Sequence, residues 1–230
     1  MTSASLGQSV PPSESDNSTA SMVDKREQRR EARRALSREA ILDAAERVFG
    51  EDGPRDGSLR RIAELSGFSP AGIYVFFESK QELLAETLTR RGDGWIATMQ
   101  IVAQSHIDPM ETLHRIIDLA VEFFARYPKF RLLLRHIDRG TTMAGPVDPA
   151  EGHYLNVVAL IGEVISRGQE NGEIRNGSSR QLAHLYSVLV NEYVLLGAVD
   201  AATEAGETLS LEEFHDIVDG AFRSGRATAG

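Results

Sequence analysis

The chain has 230 residues, enough for one large domain or two modest ones, and its 41% apolar and 26% charged residues are ordinary for a soluble globular protein. It contains no cysteine, which excludes disulfides, thiolate nucleophiles and cysteine-ligated zinc, and no apolar run approaches the ~18 residues of a membrane-spanning helix; a cytoplasmic location is expected. The net charge of −9 argues against a polyanionic partner only until it is divided: residues 21–91 carry 14 Lys+Arg against 13 Asp+Glu, residues 92–230 carry 11 against 19, and the acid therefore sits in the C-terminal part.

Residues 1–23 are rich in Ser, Pro, Thr and Asn with few large apolars, the composition of a disordered tail. Residues 24–34 are charged and good helix formers, and the span 24–38 holds seven basic residues against three acidic. Its Lys25, Arg26, Arg29, Arg30, Arg33 and Arg34 suit contacts to phosphate. The alternative is a solvated helix with internal ion pairs to Glu27 and Glu31.

The stretch Ser58 to Leu84 carries the strongest local signals. Ser58 caps a first short helix whose inward face is Ile62, Ala63 and Leu65, and Gly67 stands where that helix must stop and turn. Ser69 caps a second helix with Pro70 at its first position; Ile73, Phe76 and Phe77 are its apolar anchors. Ser79-Lys80-Gln81-Glu82 is a capping box ahead of Leu83 and Leu84. The outline is a helix-turn-helix, the arrangement that lays its second helix in the DNA major groove. A plain three-helix bundle accounts equally well for caps and apolar spacing. It leaves unexplained the small residues Ser69, Pro70, Ala71 and Gly72 ahead of Tyr74, which allow close approach of backbone to another surface.

This stretch resembles the DNA-binding domain of TetR/AcrR-type transcriptional regulators. The residues that carry the likeness are Ser58, Ile62-Ala63, Ser66-Gly67-Phe68-Ser69, Ile73-Tyr74, Phe77, Ser79-Lys80 and Leu83-Leu84, preceded by a first helix at 40–49 running into Gly53. Pro70 and Phe76 depart from the pattern, standing where polar or basic residues are common. The resemblance implies DNA contacts by Ser58, Arg60, Ser69, Pro70, Ala71, Gly72, Tyr74, Phe76 and Lys80, with Arg33 and Arg34 from the basic extension.

Beyond it the chain reads as all-α, with helices expected at 80–105, 109–126, 128–139, 149–171, 178–200 and 211–225. Cap, first-turn proline and glutamate recur at Asp108-Pro109-Met110-Glu111 and Asp148-Pro149-Ala150-Glu151, and Ser178 and Ser210 open further capping boxes. The helix at 178–200 is apolar around nearly its whole circumference, so it threads the core or meets a second subunit. The resemblance favours a two-fold four-helix interface with Leu182, Leu185, Leu189, Tyr193, Leu196, Phe214, Val218 and Phe222. Trp95, Met99, Phe123, Phe124, Tyr127 and Tyr154 are candidates to line a ligand pocket, with ordinary core packing as the alternative. Gly92 and Gly94 fall inside the long helix from Lys80 and are expected to form a soft joint between the two halves.

No catalytic motif occurs, and His106 with Asp108 or His215 with Asp216 read as surface turns rather than metal pairs, so neither catalysis, cofactor nor metal is expected. The sequence thus divides into a tail at 1–23, a DNA-binding domain at 24–94 and an effector-binding and dimerisation domain at 95–230. What the resemblance implies is a homodimeric repressor on a palindromic operator, released by a small molecule. The alternatives are an all-α binding protein or enzyme, and a DNA-binding regulator with no effector.

Overall fold

The computed structural model describes residues 14–105, 107–138, 149–197 and 209–225. They form helices α1 (Glu14–Asp56), α2 (Leu59–Ser66), α3 (Pro70–Ile73), α4 (Lys80–Ala103), α5 (Pro109–Arg126), α6 (Pro128–Asp138), α7 (Pro149–Glu170), α8 (Ser179–Glu192) and α9 (Leu211–Phe222). The only extended pairing among the described residues is one isolated bridge between Ile174 and Arg223. The chain is all-α.

Helix α1 begins at Glu14, inside the stretch for which a disordered tail is expected; residues 1–13 lie outside the described residues. Once 24–34 is helical, each added turn needs no new nucleus, so a weak helix former can be carried along. The helical dihedrals of α1 break at Gly53 (φ 82°), immediately before Pro54. Upstream, Ile41, Leu42, Ala45, Val48 and Phe49 recur at helical spacing and are buried with Ile62, Ala63, Ile73, Phe77, Leu83 and Leu88. Fully burying a side chain such as Phe49 contributes ~1.5–3 kcal/mol. Leu65, expected on the inward face of α2, is instead exposed, because α2 has only two turns and Ile62 and Ala63 already fill its contact with α1.

The second half of the core is centred on α5. Asp108 accepts the N–H of Met110 at 3.1 Å, so this helix starts and ends where its signals place it, at Pro109 and Arg126. Its Met110, Leu113, Ile116, Ile117 and Ala120 are buried in one cluster with Val164, Ile165, Tyr186 and Phe222. The hydroxyl of Tyr186 donates to the carbonyl of Leu113 across that core. Helix α8 widens at its end into a π-helical turn, Tyr193–Gly197, where the Tyr193 ring stacks on Phe214 of α9 at 4.1 Å and 3°. The complete capping box at Ser210 and Glu213 starts α9, and Arg175, whose N–H donates to the Phe222 carbonyl at 2.8 Å, clips its end.

Two ionic networks tie α1 to the helices packed on it. The buried carboxylate of Glu46 on α1 accepts from Arg90 at 2.9 Å and Arg91 at 2.8 Å on α4, and Arg90 also reaches Glu39 and Asp43 at 2.9 Å each. At the far end of α1, Glu51 meets Lys129 of α6 at 2.8 Å, Arg47 at 3.3 Å and Arg61 of α2. The Lys129 hydrogen bond first, with that of Arg61, lowers the Glu51 pKa from 4.5 to about 2.

Helix α4 runs unbroken through Gly92 and Gly94, both inside the helix as expected. The two differ because of what lies against them. A Cβ on Gly92 would sit 2.6 Å from the imidazole Nδ1 of His153 on α7, whereas a Cβ on Gly94 would meet nothing within 4 Å. Gly92 is therefore a close-approach position, and His153, seated over it, reaches Asp93 Oδ1 with its Nε2 at 2.9 Å. Gly94→Ala is expected to raise stability by ~0.5–1 kcal/mol through helix propensity alone. Gly92→Ala must displace the His153 ring and break its contact with Asp93, and is expected to lower stability. Opposite signs in denaturant melts of the two variants check this; two stabilising changes would contradict it.

Candidate nucleic-acid interface

The helix-turn-helix is assembled by backbone caps. Ser58 accepts the N–H of Arg61 at 3.1 Å and starts α2. Gly67 takes φ 77° and ψ 17°, a left-handed conformation that glycine adopts without penalty, and the N–H of Phe68 returns to the Ala63 carbonyl at 3.0 Å. Ser69 then accepts the N–H of Gly72 at 3.0 Å and starts α3. After Ile73 the chain continues in tight turns, with Phe76 and Phe77 both donating to the Ile73 carbonyl at 2.9 and 3.1 Å. Ser79 accepts from the N–H of Glu82 at 3.0 Å, and α4 begins.

This chain path sorts the expected contact residues. Ser58, Arg60, Ser69, Pro70 and Ala71 are exposed and Gly72 is half-buried. Tyr74 is 53% exposed and Val75 67% exposed, side by side past the end of α3. Ile73 and Phe77 point inward, so burial of the anchors is what turns Tyr74 and Val75 out. Val75 falls outside the anchor spacing of Ile73, Phe76 and Phe77 and so faces outward, but it is not among the contacts that the resemblance implies. Phe76 sits half-buried against Phe68, ring centroids 5.8 Å apart at 77°, which makes it a brace for the exposed turn. Arg60 pairs with Glu64 at 3.0 Å along α2. Lys80 donates to the Arg55 carbonyl at 2.7 Å and lies 5.9 Å over the Phe49 ring, so one of its three N–H donors is already engaged. Arg33 and Arg34 lie on the exposed N-terminal stretch of α1.

The candidate pocket residues separate into two groups. Trp95, Phe123, Phe124 and Tyr127 pack together, with Trp95 to Phe123 at 5.0 Å and Phe123 to Tyr127 at 5.0 Å, and Phe130 joins them. Met99, one turn past Trp95, is buried. Tyr154 meets His184 on α8, its hydroxyl 2.9 Å from Nδ1. Sequence reading missed Arg91, whose guanidinium stacks 4.1 Å over the Tyr127 ring while its Nε reaches Glu46 of α1. No local pattern marks this residue; its role comes from two partners distant in the chain.

The expected dimer residues divide as well. Tyr193, Phe214, Val218 and Phe222 are buried inside their own chain, so the stripe assigned to a partner is used to dock α9 onto α8. Leu182 and Leu189 are half-buried, and the side chain of Leu196 lies outside the described residues. What α8 and α9 leave uncovered is Leu185 at 49%, Val188 at 41% and Ile217 at 47% exposure. Helix α9 also faces α5 through crossed pairs: His114 to Asp219 at 2.8 Å, and His215 to Asp118 at 3.1 Å. His215 thus belongs to an interhelical contact rather than a surface turn, while His106 lies outside the described residues. Among the described residues no group of three or more His, Asp or Glu is arranged to hold a metal ion. None of their helices is long and apolar enough to cross a membrane.

Comparison with known proteins places this geometry. Residues 41–87 match the family model described as bacterial regulatory proteins, tetR family. Over 160 residues the chain is 29% identical to the transcriptional repressor BepR of Brucella suis, covering 67% of this chain and 77% of BepR. It is 32% identical to the transcriptional regulator RutR of Escherichia coli over 98 residues, a match that spans 42% of this chain and 46% of RutR. Among solved structures, AibR in complex with isovaleryl coenzyme A and operator DNA aligns with TM-score 0.65 at 19% identity, covering 80% of this chain and 97% of AibR. That likeness is one of fold, whereas the helix-turn-helix match is one of residues. Caps, turn and outward-facing pair at 58–80 thus sit where a shared domain requires them, and residues 41–87 carry the helix-turn-helix DNA-binding domain of the tetR family of bacterial regulatory proteins, in a chain whose relatives are regulators of transcription.

Proposed function

We propose that the chain is a repressor that acts as a homodimer on a palindromic operator, is released by a small molecule, works in the cytoplasm and catalyses no reaction. The observation that carries the DNA reading is the pair Tyr74 and Val75, turned outward past α3 by the buried anchors on either side. Ser69, Pro70 and Ala71 beside them are small enough for close backbone approach. Selection of bound duplexes from a randomised pool identifies the operator. Against it, Tyr74→Ala is expected to weaken binding at least 10-fold, about 1.4 kcal/mol. Lys80→Ala is expected to weaken all sequences alike and reduce the salt slope by about one phosphate contact. Operator binding unchanged in both variants at several salt concentrations would remove these residues from the interface.

The exposed trio Leu185, Val188 and Ile217 supports a two-fold contact at α8 and α9, with half-buried Leu182 and Leu189 at its edge. An apolar group of this kind on helices otherwise packed inward is suited to a second copy. The operator half-sites should then lie about one helical turn apart, ~34–36 Å, or a multiple of it. Leu185→Glu with Ile217→Glu is expected to give folded monomers, since neither side chain belongs to the core. Light scattering and circular dichroism test this together; a dimer that persists in the double variant points to another face.

Release by a ligand is supported by the aromatic group at Trp95, Phe123 and Tyr127 and by the path from it to α1 through Arg91. A molecule that displaces Tyr127 moves the guanidinium stacked on it, and with it one of the two cations on Glu46. A ligand shifts the balance only by its difference in affinity for the two arrangements. Arg91→Gln leaves Glu46 paired with Arg90 and is expected to hold operator affinity within a few-fold while reducing effector coupling by ~1–2 kcal/mol. Titration of candidate metabolites into operator complexes of both proteins decides it: equal release takes Arg91 out of the path, and release by none favours a regulator without an effector.

A further inference from the structure

We propose that the N-terminal ridge of α1, residues 25–34, is a second DNA-binding element: a rigid basic arm that lies along the duplex backbone outside the half-site read at 69–75. The proposal rests on the DNA-binding reading above and extends the footprint beyond the helix-turn-helix.

The first support is the arrangement of charge. Lys25, Arg29 and Arg33 form one i,i+4 row and Arg26, Arg30 and Arg34 the next. At about 100° per residue these six cations occupy one half of the helix circumference, and Glu27 and Glu31 fall in the other half. Neither acid has a cation four residues further on: position 31 is Glu and position 35 is Ala. Arg30 and Arg34 lie three residues past Glu27 and Glu31, yet neither pair is formed, while four like-charged i,i+4 pairs among the cations oppose one another.

The second support is that these cations are free. Residues 25–34 are all exposed, and among the described residues none of the six basic side chains has an ionic or hydrogen-bond partner. Seven arginines of the folded body behave otherwise: Arg38, Arg47, Arg60, Arg61, Arg90, Arg91 and Arg223 each hold a carboxylate. An unpaired, one-sided row of six cations on a stretch of α1 that buries nothing is a field that a polyanion can neutralise.

The third support is where the arm leaves the body. Arg38 is the first anchored side chain, its guanidinium 5.0 Å over the Phe77 ring and 2.6 Å from Glu86. Phe77 closes the recognition turn two residues after Val75 and three before Lys80. The arm thus springs from the edge of the helix-turn-helix rather than from the C-terminal half. From Arg38 to Lys25 a helix rises ~20 Å at 1.5 Å per residue. That length matches about six base pairs along one strand at 3.4 Å each.

The test uses the full-length chain and a duplex that wild type selects from a randomised pool. Arg26→Gln, Arg29→Gln, Arg30→Gln and Arg33→Gln are made together, because Gln keeps helix propensity and removes only charge. Affinity is measured from 0.05 to 0.3 M salt on duplexes trimmed to the half-sites or carrying ten extra base pairs on each side. With at least two phosphates no longer neutralised, the salt slope is expected to fall by about 2 and affinity at 0.15 M by about 30-fold. Wild type should bind the flanked duplex more tightly than the trimmed one, and the variant should not. Equal slopes and an equal response to the flanks would overturn the proposal, and a helical content reduced by the substitutions would be visible in circular dichroism of the free protein. Tyr74→Ala in the same assay keeps the two readings apart. If it weakens binding while the four-fold variant equals wild type, only the arm is wrong; if wild type selects no duplex, both readings fall.

Discussion

The packing of α4 on α1 depends on one buried carboxylate. Glu46 on α1 is almost fully enclosed and accepts from both Arg90 and Arg91 of α4. A carboxylate out of water is costly unless charge and hydrogen bonds compensate it, and removing one partner of such a group typically costs ~3–5 kcal/mol. Two cations on one acid make the arrangement tolerant of losing either, and they fix the rotation of α4 about its own axis relative to α1. Everything attached to α4 inherits that rotation. On the DNA side this is the start of the helix at Lys80, and on the core side it is Gly92 under His153. Because Arg91 also covers the Tyr127 ring, the same contact is shared between the body that holds α1 and the aromatic group of the C-terminal half.

Much of the fold was legible because helix starts are written in two or three adjacent residues. The caps at Ser58, Ser69, Ser79, Asp108, Ser178 and Ser210 all accept the backbone N–H that their spacing requires. These are local exchanges of hydrogen bonds, complete within one turn, so sequence contains them in full. The turn at Gly67 is legible for the same reason, since its left-handed backbone is a property of one residue. What sequence did not contain was which of several apolar faces meets which neighbour. Leu65 is exposed while Phe76 is braced on Phe68, a distribution set by the length of two very short helices.

The glycines make the same point. Gly92 and Gly94 look alike in the chain, and intrinsic propensity assigns them equal weakness. The difference is His153, sixty residues away, which occupies the space a Cβ on Gly92 would fill. Gly50 is a second instance: a Cβ there would lie 2.3 Å from the carbonyl oxygen of Lys129, so α1 and α6 cross where no side chain intervenes. Both crossings place a glycine of a long helix against an element of the C-terminal half. At these two positions a glycine inside a helix marks close contact, whereas at Gly94 it does not.

Burial also revises the origin of the association face. Phe214, Val218 and Phe222 lie on one side of α9 at helical spacing, and a stripe so regular reads as a surface waiting for a partner. It is consumed within the chain: Phe214 stacks on Tyr193, Phe222 meets Tyr186, and the crossed histidine–aspartate pairs hold α9 to α5. The opposite edge, where Ile217 lies, becomes a surface only after that docking. Ile217 therefore takes its place beside α8 only once α9 is docked, and the proposed association face that it shares with Leu185 and Val188 of α8 depends on the Tyr193–Phe214 stack.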